Sequence, residues 1–163
     1  MIQNNQKVTG MLVGLAVITT LTINNTQWPE VSMDMRLIPL IVSFVALIAA
    51  GFLEKTTGKK NLALAALVLL AVGHLVIIAG SSSAIFLAKL TSYLAIGLLT
   101  PITLAYPFEL FSPKTAEKIL GLQILGYLGA SIITTMFNHV IIALIILTFS
   151  FVFYSCHGSQ KKA

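Results

Sequence analysis

Lys89 is the side chain with the most chemistry to offer in a chain that is otherwise apolar over long stretches. It follows Ser83 by six residues, on an uncharged run. If that run is a membrane helix, Lys89 sits roughly 9 Å below the surface, at about 1.5 Å per residue. A lysine at mid-membrane costs about 2.5–3.5 kcal/mol on insertion scales, so its presence needs a reason. Two reasons are open: the ammonium snorkels outward along its own stem, or it faces a water-filled cavity that receives an anionic group. His74 precedes Gly80 by six residues, so His74 and Lys89 are symmetric about the Ser81-Ser82 turn. In an antiparallel hairpin they belong at one depth, and if their faces converge two basic groups share one site.

Further along, Lys89, Ser92 or Tyr93, Ile96, Thr100 and Thr103 recur at helical spacing, a partly polar stripe suited to lining a cavity. Thr9, Thr19, Thr20 and Thr22 make a weaker stripe near the N-terminus, although such hydroxyls often bond only to their own helix. What is missing also counts. Glu30 and Asp34 fall outside the apolar runs, and Glu54, Glu109 and Glu117 fall at their ends, so no carboxylate of the kind that usually carries protons in coupled transport is buried deep. No spacing of His, Cys and Glu suggests a metal site, and neither a Gly-x-Ser-x-Gly elbow nor a phosphate-binding loop is present. The expectation is a protein without cofactor or metal that is not an enzyme.

The elements that must position these residues follow from composition. Hydrophobic residues make up 57% and charged residues 9%, and the mean hydropathy is +0.96. A soluble domain carries roughly a quarter charged residues. Six apolar runs, each close to the ~20 residues that cross a bilayer, span Val8 to Thr22, Arg36 to Leu53, Leu62 to Gly80, Ala84 to Phe108, Ile119 to Phe137 and Val140 to Tyr154. None alternates with a period of two, so they read as helices. The fold class expected is an all-α integral membrane protein with six transmembrane helices in one domain, 1–163. The first run has no small-residue cleavage site and reads as a span, not a removed signal.

Cations set the orientation. Lys7, Lys55, Lys59, Lys60, Lys114, Lys118, Lys161 and Lys162 fall on one side; Arg36, Glu30, Asp34, Ser81 to Ser83 and Asn138-His139 fall on the other. Both termini are therefore expected in the cytoplasm, with the protein in a bacterial inner (plasma) membrane. The net charge of +5 serves topology and attraction to anionic lipid, and the basic residues form no aromatic-interleaved patch for nucleic acid. Cys156 is the one cysteine, so no intrachain disulfide can form.

Short connections imply that successive spans pack as antiparallel neighbours. Trp28 and Pro29 lie in a longer outer connection, where Trp28 fits the interfacial aromatic position, and Asn24-Asn25-Thr26 matches a glycosylation sequon hugging the membrane. In the inner connection from Glu109 to Lys118, Pro113 should break the fourth helix and Thr115 should cap the fifth. Pro39 reads as a first-turn proline and Pro101 as one inside its span. Gly121, Gly126 and Gly129 offer close packing along the fifth helix.

The turn from Gly51 to Lys60 resembles a loop of the major facilitator superfamily, whose pattern is G-x-x-x-D-R-x-G-R-R. Gly51, Gly58, Lys59 and Lys60 match; Lys55 stands for the acid, Thr56 for the next base, and Glu54 lies one position early. Phe86 to Pro101 resembles the family's fourth span, with Lys89 where many members have a membrane arginine and with Gly97 and Pro101 in register. Glu109-Leu-Phe-Ser-Pro-Lys-Thr-Ala-Glu-Lys-Ile-Leu-Gly121 resembles its acidic-Leu-Phe-Pro-Pro entry to the fifth span, and Trp28-Pro29-Glu30 its Leu-Pro-Glu. The Gly-Pro pair of antiporter members is absent from the fifth span.

The resemblance implies one six-helix half of such a transporter, built as a 3+3 helix repeat, where members have two halves. A midplane site lies between halves related by an axis along the membrane normal. The expectation is a half-size transporter that dimerises with itself or a paralogous half and moves an anionic or amphiphilic small molecule by alternating access. The competing expectation is a small membrane subunit that packs against another protein.

Overall fold

The computed structural model describes the backbone of residues 2–25 and 33–158, and the side chains of residues 6–22, 37–134 and 136–155. Trp28, Pro29, Glu30, Lys161 and Lys162 lie outside the described residues, as do Thr26 of the sequon and the side chains of Asn24, Asn25, Asp34, Arg36 and Cys156. The described backbone is all-helical: α1 (Ile2–Asn25), α2 (Met33–Thr57), α3 (Lys59–Ile77), α4 (Ser82–Leu110), α5 (Pro113–Ile133) and α6 (His139–Gly158), with a 3-10 turn at Thr134–Met136. Among the described residues four helices are long and apolar enough to cross a membrane: Leu37–Thr57 of α2, and α3, α4 and α5. The described parts of α1 and α6 carry shorter apolar segments, Gln6–Thr22 and His139–Ser155.

Helix ends differ from the apolar runs for local reasons. Gly58 (φ 79) and Gly80 (φ 73) hold a backbone conformation that other residues resist, so α2 stops before the first and α3 before the second. The third helix thus ends at Ile77, short of the expected Gly80. The fifth begins earlier than its apolar run. Pro113 opens α5 at its first position, with Ser112 before it in extended geometry. Thr115, expected as the cap, lies inside that helix with its hydroxyl 3.1 Å from that of Ser112. Pro39 also lies inside its helix, because α2 starts at Met33.

Packing departs from the expected succession of neighbours. Among the described residues only α3 and α4 form an extensive pair of successive helices; the other large interfaces are α2 with α4, α3 with α6, and α1 with α5. Small residues decide this. A Cβ on Gly97 would lie 2.2 Å from the Ser43 carbonyl oxygen and 2.7 Å from the Ala46 Cβ, so only glycine admits α2 this close to α4. On α5, Gly126 packs on Val17 and Val13 of α1, whereas Gly121 and Gly129 face open space.

The interfaces are related. Exchanging α1 with α4, α2 with α5 and α3 with α6 carries α1/α5 onto α4/α2 and α1/α6 onto α4/α3, while α3/α6 and α1/α4 map onto themselves. Among the described residues the smaller α2/α3 and α4/α5 contacts have no counterpart of similar size, and α1/α6 is much smaller than α4/α3. One core runs through Leu15, Leu67, Leu70, Leu99, Ile142 and Ile146, and a second, smaller one joins Val8 and Leu12 to Ile119. The helices α2 and α5 bury the least of their length. They present Ile41, Phe44 and Phe52, and Leu125, Leu128 and Ile132, outward.

Candidate functional site

At the lysine-rich end, Gly58 reverses the chain so that the first residue of α3 faces the last turns of α2 and α4. Lys59 Nζ lies 3.2 Å from Glu54 Oε1 and also pairs with Glu109 Oε2. Its ammonium is 5.3 Å from the centroid of the Tyr106 ring, and that of Lys60 is 4.3 Å from the Tyr154 ring. Four helices are thereby tied at one end: α2 through Glu54, α3 through both lysines, α4 through Glu109 and Tyr106, and α6 through Tyr154. Each partly exposed ion pair contributes about 0.2–1 kcal/mol. Lys55 is exposed, and Gly51 is an exposed residue of α2 with open space around it.

Midway along the bundle, the threonines of the stripe on α4 bond to their own backbone. Thr100 donates to the Ile96 carbonyl at 2.7 Å and Thr103 to the Thr100 carbonyl at 2.9 Å. Thr19, Thr20 and Thr22 bond in the same way within α1. Thr100 and Tyr93 are half-buried. Sequence reasoning missed Gln123, whose amide donates to the Thr103 carbonyl at 3.1 Å and reaches the Leu12 carbonyl at 3.4 Å. Gln123 is buried, and it links α5 to both α4 and α1. A polar residue in an apolar run was the only signal for it.

Towards the other end, Lys89 is 1% exposed, in the turn of α4 that packs on Gly73. It reaches neither the surface nor the open grooves on α1, α5 and α6. A Cβ on Gly73 would lie 2.6 Å from Ser92 Oγ, which brings α3 and α4 into close contact beside Lys89.

His74 is fully buried, and its ring meets two other elements. Its Nδ1 lies 3.0 Å from Nδ1 of His139, the first residue of α6. Its Nε2 lies 3.2 Å from Oγ1 of Thr22 on α1. The Thr22 hydroxyl donates to the Ile18 carbonyl at 2.9 Å, so it accepts from His74. With both rings neutral, that fixes the remaining roles. His74 carries its proton on Nε2 and accepts at Nδ1, so His139 donates from its own Nδ1. The hydrogen bonds run in one direction, from half-buried His139 through His74 and Thr22 to the backbone of α1. The hydrogen-bond partners of His74 are therefore Thr22 and His139, contacts that the shared depth with Lys89 did not point to. His139 is 65 residues away in the chain, and its position in a turn gave no sign of the contact.

Two imidazole nitrogens at this separation can share a proton. Among the described residues no three of His, Cys, Asp and Glu gather as metal ligands would. Comparison with protein-family models, curated proteins and solved structures gave no significant match.

Proposed function

We propose that this chain is a half-size secondary transporter of the major facilitator type, working as a homodimer by alternating access. The observation that carries the reading is the exchange relation between α1–α3 and α4–α6, under which the large α1/α5 and α2/α4 interfaces correspond. A triplet of spans is odd in number, so the second triplet crosses the membrane in the opposite sense. That is the inverted repeat from which halves of this family are built, and their substrate site lies between two such halves. All six helices cross the bilayer in this reading, with the lysine-rich end and both termini in the cytoplasm of a bacterial cell.

The second half is another copy of the chain. The outward apolar faces of α2 and α5 are available to meet it, and a parallel copy in the same membrane satisfies the required axis. Tyr93 and Thr100, half-buried on α4, are the side chains we assign to the shared cavity. Lys89, one turn before Tyr93, supplies a positive charge beside it and favours an amphiphilic substrate with an anionic group.

The test is flux. Proteoliposomes of the purified chain are offered anionic, neutral and cationic fluorescent amphiphiles, with empty liposomes as the baseline. We expect saturable uptake of an anionic amphiphile that falls at least tenfold in Tyr93→Ala. Uptake indistinguishable from empty liposomes across the set would sink the proposal.

One observation favours a second reading, a non-transport subunit packed against a larger membrane protein. Glu54, Lys59 and Glu109 close on each other within one chain, where gating between halves calls for charges directed at a partner. The same flux measurement separates the two.

A further inference from the structure

We infer that His74 and His139 form a binding site for a single proton, loaded through His139, that fastens α3 to α6 and α1 at the end of the bundle opposite the lysines. The inference stands on the geometry of three hydrogen bonds and holds whether or not the chain carries a substrate. With both rings neutral, every polar atom along the line has a partner: His139 Nδ1–H to His74 Nδ1, His74 Nε2–H to Thr22 Oγ1, and Thr22 Oγ1–H to the Ile18 carbonyl. What remains is His139 Nε2, the one ring nitrogen of the pair with no role in the line, on a half-buried residue beside exposed Asn138.

A proton arriving at His139 Nε2 makes that ring an imidazolium. Its Nδ1 proton can then move across the 3.0 Å gap to His74 Nδ1, leaving His139 neutral with its proton on Nε2 and His74 cationic. One N–H bond forms and one breaks, and the positive charge passes inward by one ring. His74 Nε2–H still donates to Thr22 in either state. The line ends on a backbone carbonyl, which accepts a hydrogen bond but holds no proton, so the pair stores a proton and does not conduct it through the bundle. A second proton would place two cations at hydrogen-bond distance with no acceptor between them. The capacity is therefore one.

The charges facing the pair come from each element packed around it. On α4, Lys89 is buried in the turn against Gly73 and Tyr93 follows one turn later, and α1 brings the Thr22 hydroxyl. No carboxylate among the described residues is buried in this half of the bundle to take the proton instead. In a transporter the pair is a place for a coupling proton, and in any other membrane protein it is a tie between three helices that responds to acid.

The experiment is imidazole 15N NMR on the full chain in lipid nanodiscs, in a His157→Asn background that leaves the pair as the only histidines. At neutral pH we expect His74 as the Nε2–H form and His139 as the Nδ1–H form. On acidification both Nδ1 resonances should move together at one midpoint, with uptake of one proton per chain. Two separate midpoints with two protons bound would overturn the inference, and so would rings that stay neutral throughout the range in which the protein remains folded. Zinc added at neutral pH is the remaining arm: shifts at both Nδ1 atoms from micromolar zinc, without the acid transition, would make the pair a metal site and overturn the proton assignment.

Discussion

Gly97→Ala tests whether α2 and α4 touch as closely as described. The added Cβ would stand 2.2 Å from the Ser43 carbonyl oxygen, 2.7 Å from the Ala46 Cβ and 3.1 Å from the Leu47 nitrogen. Ordinary carbon–carbon contacts are about 3.5–4.0 Å, so the two backbones must separate by roughly 1 Å. Neither of the nearest atoms can swing aside, since one is backbone and the other is a Cβ. On its other face α4 lies against α3, so retreat in that direction opens no space. A radial gap of 0.5–1 Å forfeits about a quarter to a half of the contact energy along the interface. Overpacking of this kind costs about 1–3 kcal/mol.

Gly121→Ala is the matched control. It changes the same residue type, inside a helix, at a site with no atom within 4 Å. Relief of glycine's helix penalty should leave it neutral or stabilise it by up to about 1 kcal/mol. Unfolding of both variants by SDS in mixed micelles, followed by circular dichroism, gives the difference directly. Gly97→Ala should unfold earlier than the native chain and Gly121→Ala no earlier. Equal stability of the two variants would refute the close α2/α4 packing and, with it, the exchange relation on which the functional reading rests.

Four further outcomes are expected. Lys59→Gln and Glu109→Gln, singly and together, should show a coupling of about 0.5–1 kcal/mol in unfolding, the size of a partly exposed pair; strictly additive losses would deny the pairing. Thr22→Val removes the acceptor from His74 Nε2 while keeping the side-chain shape, and should cost about 1–3 kcal/mol by leaving a buried donor unmade; an unchanged unfolding midpoint would contradict the line of hydrogen bonds. Gln123→Ala removes the link from α5 to α4 and α1 and should cost about 1–3 kcal/mol through a small void and the Thr103 carbonyl, which Pro107 cannot serve within the helix; a stability equal to that of the native chain would deny the link. Amine-reactive footprinting of the protein in bilayers should label Lys55, Lys114 and Lys118, which are exposed, and spare Lys89; labelling of Lys89 at a similar rate would restore the snorkelling alternative.

Hydropathy made the helices legible, because the bilayer requirement acts on each run by itself. Their ends were less so, since Pro113 opens a helix as readily as it closes one, and Ser112 with Pro113 placed the start of α5 ahead of its apolar stretch. Helix partners were hidden for a different reason. The contact of Gly97 with Ser43 depends on where two helix faces meet in space, and nothing within either apolar run names the other. The same holds for His74 and His139, and for Lys59 and Glu109, which are 65 and 50 residues apart. The lysine-rich turn was recognisable as a charged reversal, but that its charges close on each other across three helices required the fold. Thr100 and Thr103 show the converse: their spacing suggested a cavity lining, and the backbone of their own helix supplied their acceptors.

In the proposed transporter two copies of this chain make the working unit. Fluorophore-labelled protein, reconstituted at high dilution in liposomes and counted by single-molecule photobleaching, tests it most directly. Two-step traces should dominate at the lowest protein-to-lipid ratio at which flux persists. Single-step traces at that ratio, with flux intact, would contradict it.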